Sequence, residues 1–317
     1  MRISWFIKGA RILIRGIHMT EKTHHIPVLL HEIVQALSLH LDACVIDCTL
    51  GGGGHAQEIM KHLGKQGRYV GIDQDPRALQ RVQDVLLEKK FPCRIDYVVG
   101  NFGSLAEIVQ PLNLERVDAI LFDLGWSSDQ IIDAEIGMSF LHDAPLSMLL
   151  KREKQPGDID AYDIINTWSE ESLADVLYVY GDEHRSRVIA RVIVEERKKN
   201  PIRTTLELAQ CIEKRFGKGK RHPATKTFQA LRIAVNNEYQ VLKDGLDQAI
   251  QLLSPGGHCA VLSFHSGEDR IVKHVFRDYA QQGIIKLVIK KPIVPPFSEI
   301  QLNPRARSAK LRVIQKI

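Results

Sequence analysis

Residues 43–54 read Ala43-Cys44-Val45-Ile46-Asp47-Cys48-Thr49-Leu50-Gly51-Gly52-Gly53-Gly54, and this stretch decides the fold class. An apolar run that ends in polar residues and then glycine predicts a buried parallel strand over Ala43–Cys48. His55 follows, with Ala56, Ile59, Met60 and Leu63 at helical spacing, and Gly64 and Gly67 end that helix. Working outward, Tyr69–Ile72 reads as a second strand stopping at Asp73, and Pro76 opens a helix running through Leu87. Ile95–Val99 makes a third strand and Val117–Phe122 a fourth, which ends at Asp123. Strands alternating with helices predict a doubly wound α/β sheet.

From about Ser127 to Leu231 the pattern turns helical, with segments at Ser172–Tyr180, His184–Arg197 and Thr205–Phe216. A helix over Val235–Leu253 and strands at His258–Phe264, Ile284–Ile289 and Leu311–Ile314 then complete the sheet. The expected organisation is an extension over 1–23, an α/β domain over 24–127 and 232–317, and an inserted helical domain over 128–231.

Composition excludes several classes. The 317 residues are 44% apolar and 26% charged with 22 Gly and 13 Pro, the balance of a globular chain rather than a collagenous or disordered one. No apolar run approaches the roughly 20 residues of a membrane helix. Five scattered cysteines without a CxxC pair indicate neither a disulfide framework nor a zinc site, so a reducing, cytoplasmic compartment is expected. The net charge is +5, but Arg2, Lys8, Arg11 and Arg15 lie before Met19, leaving +1 for the remainder. Local charge is more informative: twelve Lys or Arg against four Glu between Arg185 and Arg221, and eight against Glu299 between Lys286 and Ile317.

A glycine turn between strand and helix lets backbone approach a ligand and aims free helix N–H groups at it. Asp73, 22 residues after Gly51, stands where an acid accepts hydrogen bonds from ribose hydroxyls. This order predicts a nucleoside cofactor and leaves NAD and S-adenosylmethionine both open. Phe102 follows the third strand, where it can stack on adenine or close the core. Asp123-Leu124-Gly125-Trp126-Ser127-Ser128 sets an acid, a turn and hydroxyls at the fourth strand's end, where open α/β sheets bind ligands.

Further strings carry a resemblance. His25-Ile26-Pro27-Val28-Leu29-Leu30, Asp47-Cys48-Thr49 with Gly51 and Gly53-Gly54-His55, and Asp123-Leu124-Gly125 with Gln130 are three of them. His222-Pro223-Ala224-Thr225, Ser263-Phe264-His265-Ser266 and Asn303-Pro304-Arg305-Ala306-Arg307-Ser308 are three more. Together they resemble the bacterial 16S ribosomal RNA (cytosine-N4)-methyltransferase family from about residue 24 to 317. The resemblance implies a Rossmann-like methyltransferase sheet, S-adenosyl-L-methionine as methyl donor, and a decoding-region cytosine of 16S rRNA in the small ribosomal subunit as acceptor. It assigns donor contacts to Gly53, Gly54, His55, Asp73, Phe102, Asp123 and Gln130. The chain departs from the family pattern over residues 136–151, where Ile136, Met138, Ser147 and Leu149 stand in place of other residues, and at Gly267.

Methyl transfer from a sulfonium needs alignment rather than a metal or a covalent enzyme intermediate. A cytosine amino group needs a hydrogen-bond acceptor as it attacks, a role that suits Asp123, the expected catalytic residue, or backbone carbonyls in the Leu124–Trp126 turn. Trp126 suits stacking on a flipped base and equally suits a core. Lys218, Lys220, Arg221, Arg305 and Arg307 have few acids nearby and are the expected RNA contacts. No metal site is expected at His265, Glu268 and Asp269, which read instead as an RNA-contacting loop or a salt-bridged turn. Rival readings are another nucleic-acid amino-methyltransferase and a ribosome-assembly factor without turnover.

Overall fold

The computed structural model describes residues 27–125, 136–150, 154–219 and 221–317. The chain divides into two compact units, broken after Gly125 and before Gln240.

The first unit carries a seven-stranded sheet. Its elements are α1 (Leu30–Ala36), β1 (Cys44–Asp47), α2 (Gly54–Lys61), β2 (Arg68–Asp73), α3 (Pro76–Leu87), β3 (Arg94–Val99), α4 (Leu105–Val109) and β4 (Ala119–Asp123). The strand order is β3-β2-β1-β4, continued by β5 (His258–Ser263), β7 (Lys310–Lys316) and β6 (Ile285–Leu287). The first five of these run parallel; β7 pairs antiparallel with both β5 and β6. Successive side chains of a strand point to opposite faces, and both faces here are covered. Thus Val45, Leu121 and Leu262 enter one core, while Ile46, Phe122 and Val261 enter the other. Strand order reverses between β1 and β4, so their carboxyl ends open the crevice at which such sheets place ligands.

The second unit is helical: α5 (Ala161–Thr167), α6 (Glu170–Gly181), α7 (Ser186–Arg197), α8 (Thr205–Phe216) and α9 (Thr225–Asn236). Its starts are written locally, since Asp160 with Asp163 and Thr204 with Glu207 form reciprocal capping boxes. Leu173, Leu177, Ile189, Ile193, Leu208, Ile212, Phe228 and Leu231 build its core.

Two expectations need correction. The helix read over Val235–Leu253 is two, because Asn237 turns left-handed at φ 49° between α9 and α10 (Glu238–Leu252). The cluster at His265 is neither a loop nor a turn, since it starts α11 (Ser266–Gln281). The His265 ring caps the Glu268 N–H while Glu268 accepts from the backbone N–H of His265. Asp269 then takes Lys310 Nζ at 2.9 Å and Arg312 Nε at 2.7 Å, which binds α11 to β7.

Burial resists the charge on Asp269, but Arg312 and Lys310 outweigh it and hold the carboxyl below its ordinary 3.8. Its contribution is present above that pH and disappears as pH falls through the lowered value. Asp269→Ala leaves Arg312, 15% exposed, without this partner. The expected loss at pH 7 is about 2–4 kcal/mol, toward the lower end because Lys310 is 40% exposed. Urea titrations at pH 7 and pH 3 check it: the gap between variant and wild type should narrow at the lower pH.

Candidate active site

The site grows from the carboxyl end of β1. Asp47, 1% exposed, accepts the Tyr69 hydroxyl at 2.6 Å and the Thr49 N–H at 3.1 Å. Burial nevertheless pushes its pKa up to about 6. Beyond it the chain turns sharply: Leu50 N–H donates to Ile72, Gly53 N–H donates to Leu50, and Gly51 and Gly53 sit at φ 51° and 73°. A Cβ on Gly53 would stand 2.7 Å from Val82 Cγ1, and one on Gly54 only 2.3 Å from Pro27 Cγ. Glycine is required at both positions, by close approach and, for Gly53, by conformation as well. Because α2 begins at Gly54, the N–H groups of Gly54, His55 and Ala56 have no intrahelical acceptor and suit an anionic ligand group.

Asp73 ends β2 and braces this loop. One carboxylate oxygen accepts Gly51 N–H and the other accepts Asp75 N–H, both at 2.9 Å. Burial raises its pKa above the ordinary value. Asp73→Ala therefore removes the acceptors of two backbone N–H groups along with any ribose contact. Donor affinity should fall by about 1–3 kcal/mol, and calorimetry with S-adenosylhomocysteine reads it directly; an unchanged Kd would remove Asp73 from the donor site. Phe102 lies edge-on to Phe122 at 5.4 Å between ring centroids and fills the space a Cβ on Gly245 would need. The ring is half-buried, packed against the core on one side.

Asp123 ends β4 beside β1. Its N–H donates to Thr49 Oγ1 at 2.6 Å, so Thr49 bridges the two strand ends where their pairing stops. The Asp123 carboxylate, 20% exposed, lies 3.2 Å from His55 Nδ1. The other ring nitrogen of His55 lies 3.0 Å from the Val28 carbonyl oxygen. The structure thus gives His55 two separate assets, a backbone N–H at the helix start and a 6%-exposed ring whose nitrogens face protein atoms. This ring contact is the site feature that sequence reasoning missed. Among the described residues, no group of three or more His, Cys, Asp or Glu is arranged to hold a metal ion.

Gln130, Trp126, Ser127, Ser128 and Lys220 lie outside the described residues, as do His25 and Ile26. In the helical unit, Lys218 and Arg221 are exposed between α8 and α9, next to His222, which lies over Phe140 at 4.5 Å. Arg197 turns inward instead, donating to the carbonyls of Ile165 and Trp168. In the α/β unit, Arg305 and Arg307 are exposed on a single turn over Pro304–Ser308. Just before it, α12 (Phe297–Leu302) leaves Phe297 73% and Leu302 78% exposed.

The divergent stretch is packed. Ile136, Met138, Leu146, Met148 and Leu149 are buried in the helical unit, with Met148 0% exposed, and Asn236 holds the Leu150 N–H and the Met148 carbonyl. The altered residues described there serve largely as core.

Ribosomal RNA small subunit methyltransferase H of Brevibacillus brevis is 42% identical over 313 residues, covering 93% of this chain and 98% of that protein. The protein of the same name from Clostridioides difficile is 39% identical, covering 93% of this chain and 99% of its own. A solved rRNA methylase from Streptococcus thermophilus aligns over 95% of this chain and 99% of its own, with a TM-score of 0.44 and 11% identity. The MraW methylase family profile matches residues 22–317, and with relatives of this similarity along nearly the whole length the chain belongs to the MraW methylase family.

Proposed function

We propose that this protein is an S-adenosyl-L-methionine-dependent rRNA methyltransferase that modifies the N4 amino group of a cytosine in the decoding region of 16S rRNA, within the small ribosomal subunit of the cytoplasm. Membership of a methylase family supports the reaction class, and the names of its relatives support ribosomal RNA as the substrate. The observation that carries the reading is the meeting of three features at adjacent strand ends. These are the Gly53-Gly54 turn with free helix N–H groups, Asp73 beside it, and Asp123 fixed by Thr49 and His55.

The donor set fits the cofactor: N–H groups of Gly54, His55 and Ala56 suit its carboxylate and Asp73 its ribose hydroxyls. When bound, S-adenosylmethionine supplies an electrophilic methyl whose C–S bond breaks as the new C–N bond forms, the electron pair remaining on sulfur. Asp123 accepts a hydrogen bond from the cytosine amino group, which directs the nitrogen lone pair at that methyl. The amino proton released after transfer passes to solvent. Gln130 and Phe102 complete the donor contacts, Trp126 stacks on the acceptor base, and Lys218, Lys220, Arg221, Arg305 and Arg307 neutralise phosphates.

The test is transfer of labelled methyl from S-adenosylmethionine to small subunits lacking the modification, followed by nucleoside mass analysis. N4-methylcytosine is expected. A labelled adenine would move the activity to another amino group, and donor binding without any labelled base would make the protein an assembly factor.

A further inference from the structure

The His25–Leu30 string and the ring of His55 remain without a role once backbone groups are assigned to the donor. The hydrogen bonds around that ring restrict its protons. The Val28 carbonyl can only accept, so Nε2, 3.0 Å away, must carry a hydrogen. Nδ1 then faces Asp123 Oδ2 at 3.2 Å, and without a second proton between them two lone pairs would oppose each other. The ring is therefore singly satisfied as a neutral imidazole and doubly satisfied as an imidazolium.

The surroundings agree. Burial works against charge on His55, yet the Asp123 carboxylate, then Asp47, then the Val28 carbonyl together raise its pKa above 6.5. The charged or titratable groups facing it are Asp123 from β4 and Asp47 from β1, with the Tyr69 hydroxyl of β2 behind Asp47. Val28 is itself anchored. Leu29, left-handed at φ 52°, donates its N–H to Glu299 Oε1 at 2.8 Å, and Pro27 packs against Gly54. Glu299 lies on α12, so residues 270 positions apart hold the carbonyl that orients the ring.

We propose that His55 is a positioning residue: held between the Val28 carbonyl and Asp123, its imidazolium pins Oδ2 of that carboxylate and leaves Oδ1 as the oxygen offered to the acceptor amino group. The proposal rests on Asp123 being the acceptor-binding acid, as argued above. The donor is held by backbone N–H groups that a change of side chain at position 55 leaves in place.

The experiment uses the full chain with His55→Asn, His55→Gln and Asp123→Asn. It measures kcat and KM on undermethylated small subunits across pH, Kd for S-adenosylhomocysteine, and the imidazole titration of His55 by NMR. An Asn amide nitrogen reaches the place of Nδ1 and keeps a donor toward Asp123, whereas a Gln amide reaches the place of Nε2 and keeps only the Val28 contact. His55→Gln should lower kcat on the order of 10²-fold through misplacement, with KM and Kd within about two-fold. His55→Asn should recover most of that loss. Wild-type kcat should fall as pH rises through the His55 titration, because the pinning proton is lost, and His55→Asn should lack that limb. In Asp123→Asn the His55 titration should move below that of an ordinary imidazole, since burial is then less opposed.

Equal kcat for the Asn and Gln variants, or a His55 titration unmoved by Asp123→Asn, overturns the proposal. Asp123→Asn inactive beside two fully active His55 variants overturns it alone. Asp123→Asn fully active overturns the underlying assignment of the acid.

Discussion

Asp123→Asn should reduce methyl transfer by about 10²–10³-fold, equivalent to some 2.7–4 kcal/mol of transition-state stabilisation, while RNA affinity changes by less than about two-fold. Asn keeps the volume and the backbone N–H to Thr49, so β4 should end as before. What changes is the acceptor. An NH2 donor replaces one carboxylate oxygen, and the charge that complements His55 disappears. Single-turnover transfer together with filter binding separates the two effects. A variant that binds RNA poorly and turns over normally once saturated would make Asp123 an RNA contact instead.

Gly54→Ala should weaken donor binding by at least about ten-fold and lower stability by about 1–3 kcal/mol. The added methyl would stand 2.3 Å from Pro27 Cγ, far inside contact distance, and the obstacle is a rigid pyrrolidine rather than a flexible chain end. Either the first turn of α2 retreats or Pro27 moves and carries Val28 with it. Both disturb the N–H groups assigned to the donor, and the second also disturbs the His55 ring. Calorimetry with S-adenosylhomocysteine and a thermal melt on the same sample test it. A melting temperature that drops beside an unchanged Kd would detach the donor from the α2 terminus.

Sequence alone made the sheet legible because each strand end carried its own punctuation. The polar and glycine residues after Ile46, Asp73 after Ile72 and Asp123 after Phe122 all mark where a buried strand stops, and the observed strands end within a residue or two of them. The break at Asn237 was missed although an asparagine pair stood there. Apolar spacing continues from Val235 into Leu242 and Leu246, and periodicity does not register a single left-handed residue. His265 was misread for a different reason: imidazole is an uncommon helix cap, so its cluster with Glu268 read as an RNA-contacting loop or a salt-bridged turn rather than as the start of a helix. The contacts of the His55 ring had no local signature at all. Its partners come from residues 27 positions before it and, through Leu29, from a residue 270 positions later than Leu29, so only the fold brings them together.

One feature of the topology bears on how the molecule is made. β4 and β5 are parallel neighbours, with Asp123 opposite Leu262, yet the chain between them passes through the whole helical unit. The entropy of joining two distant segments depends on how much free chain separates them. A helical unit that is already compact leaves less free chain to close, and its capping boxes and core are built from its own residues. Gly137 is a point of leverage here: at φ 70°, with a Cβ only 2.2 Å from the Pro145 carbonyl oxygen, it tolerates no side chain. A substitution there, in the helical unit rather than in any strand, would slow the closure of β4 on β5, and so a refolding rate followed in the sheet would report the integrity of helices that contribute no strand to it.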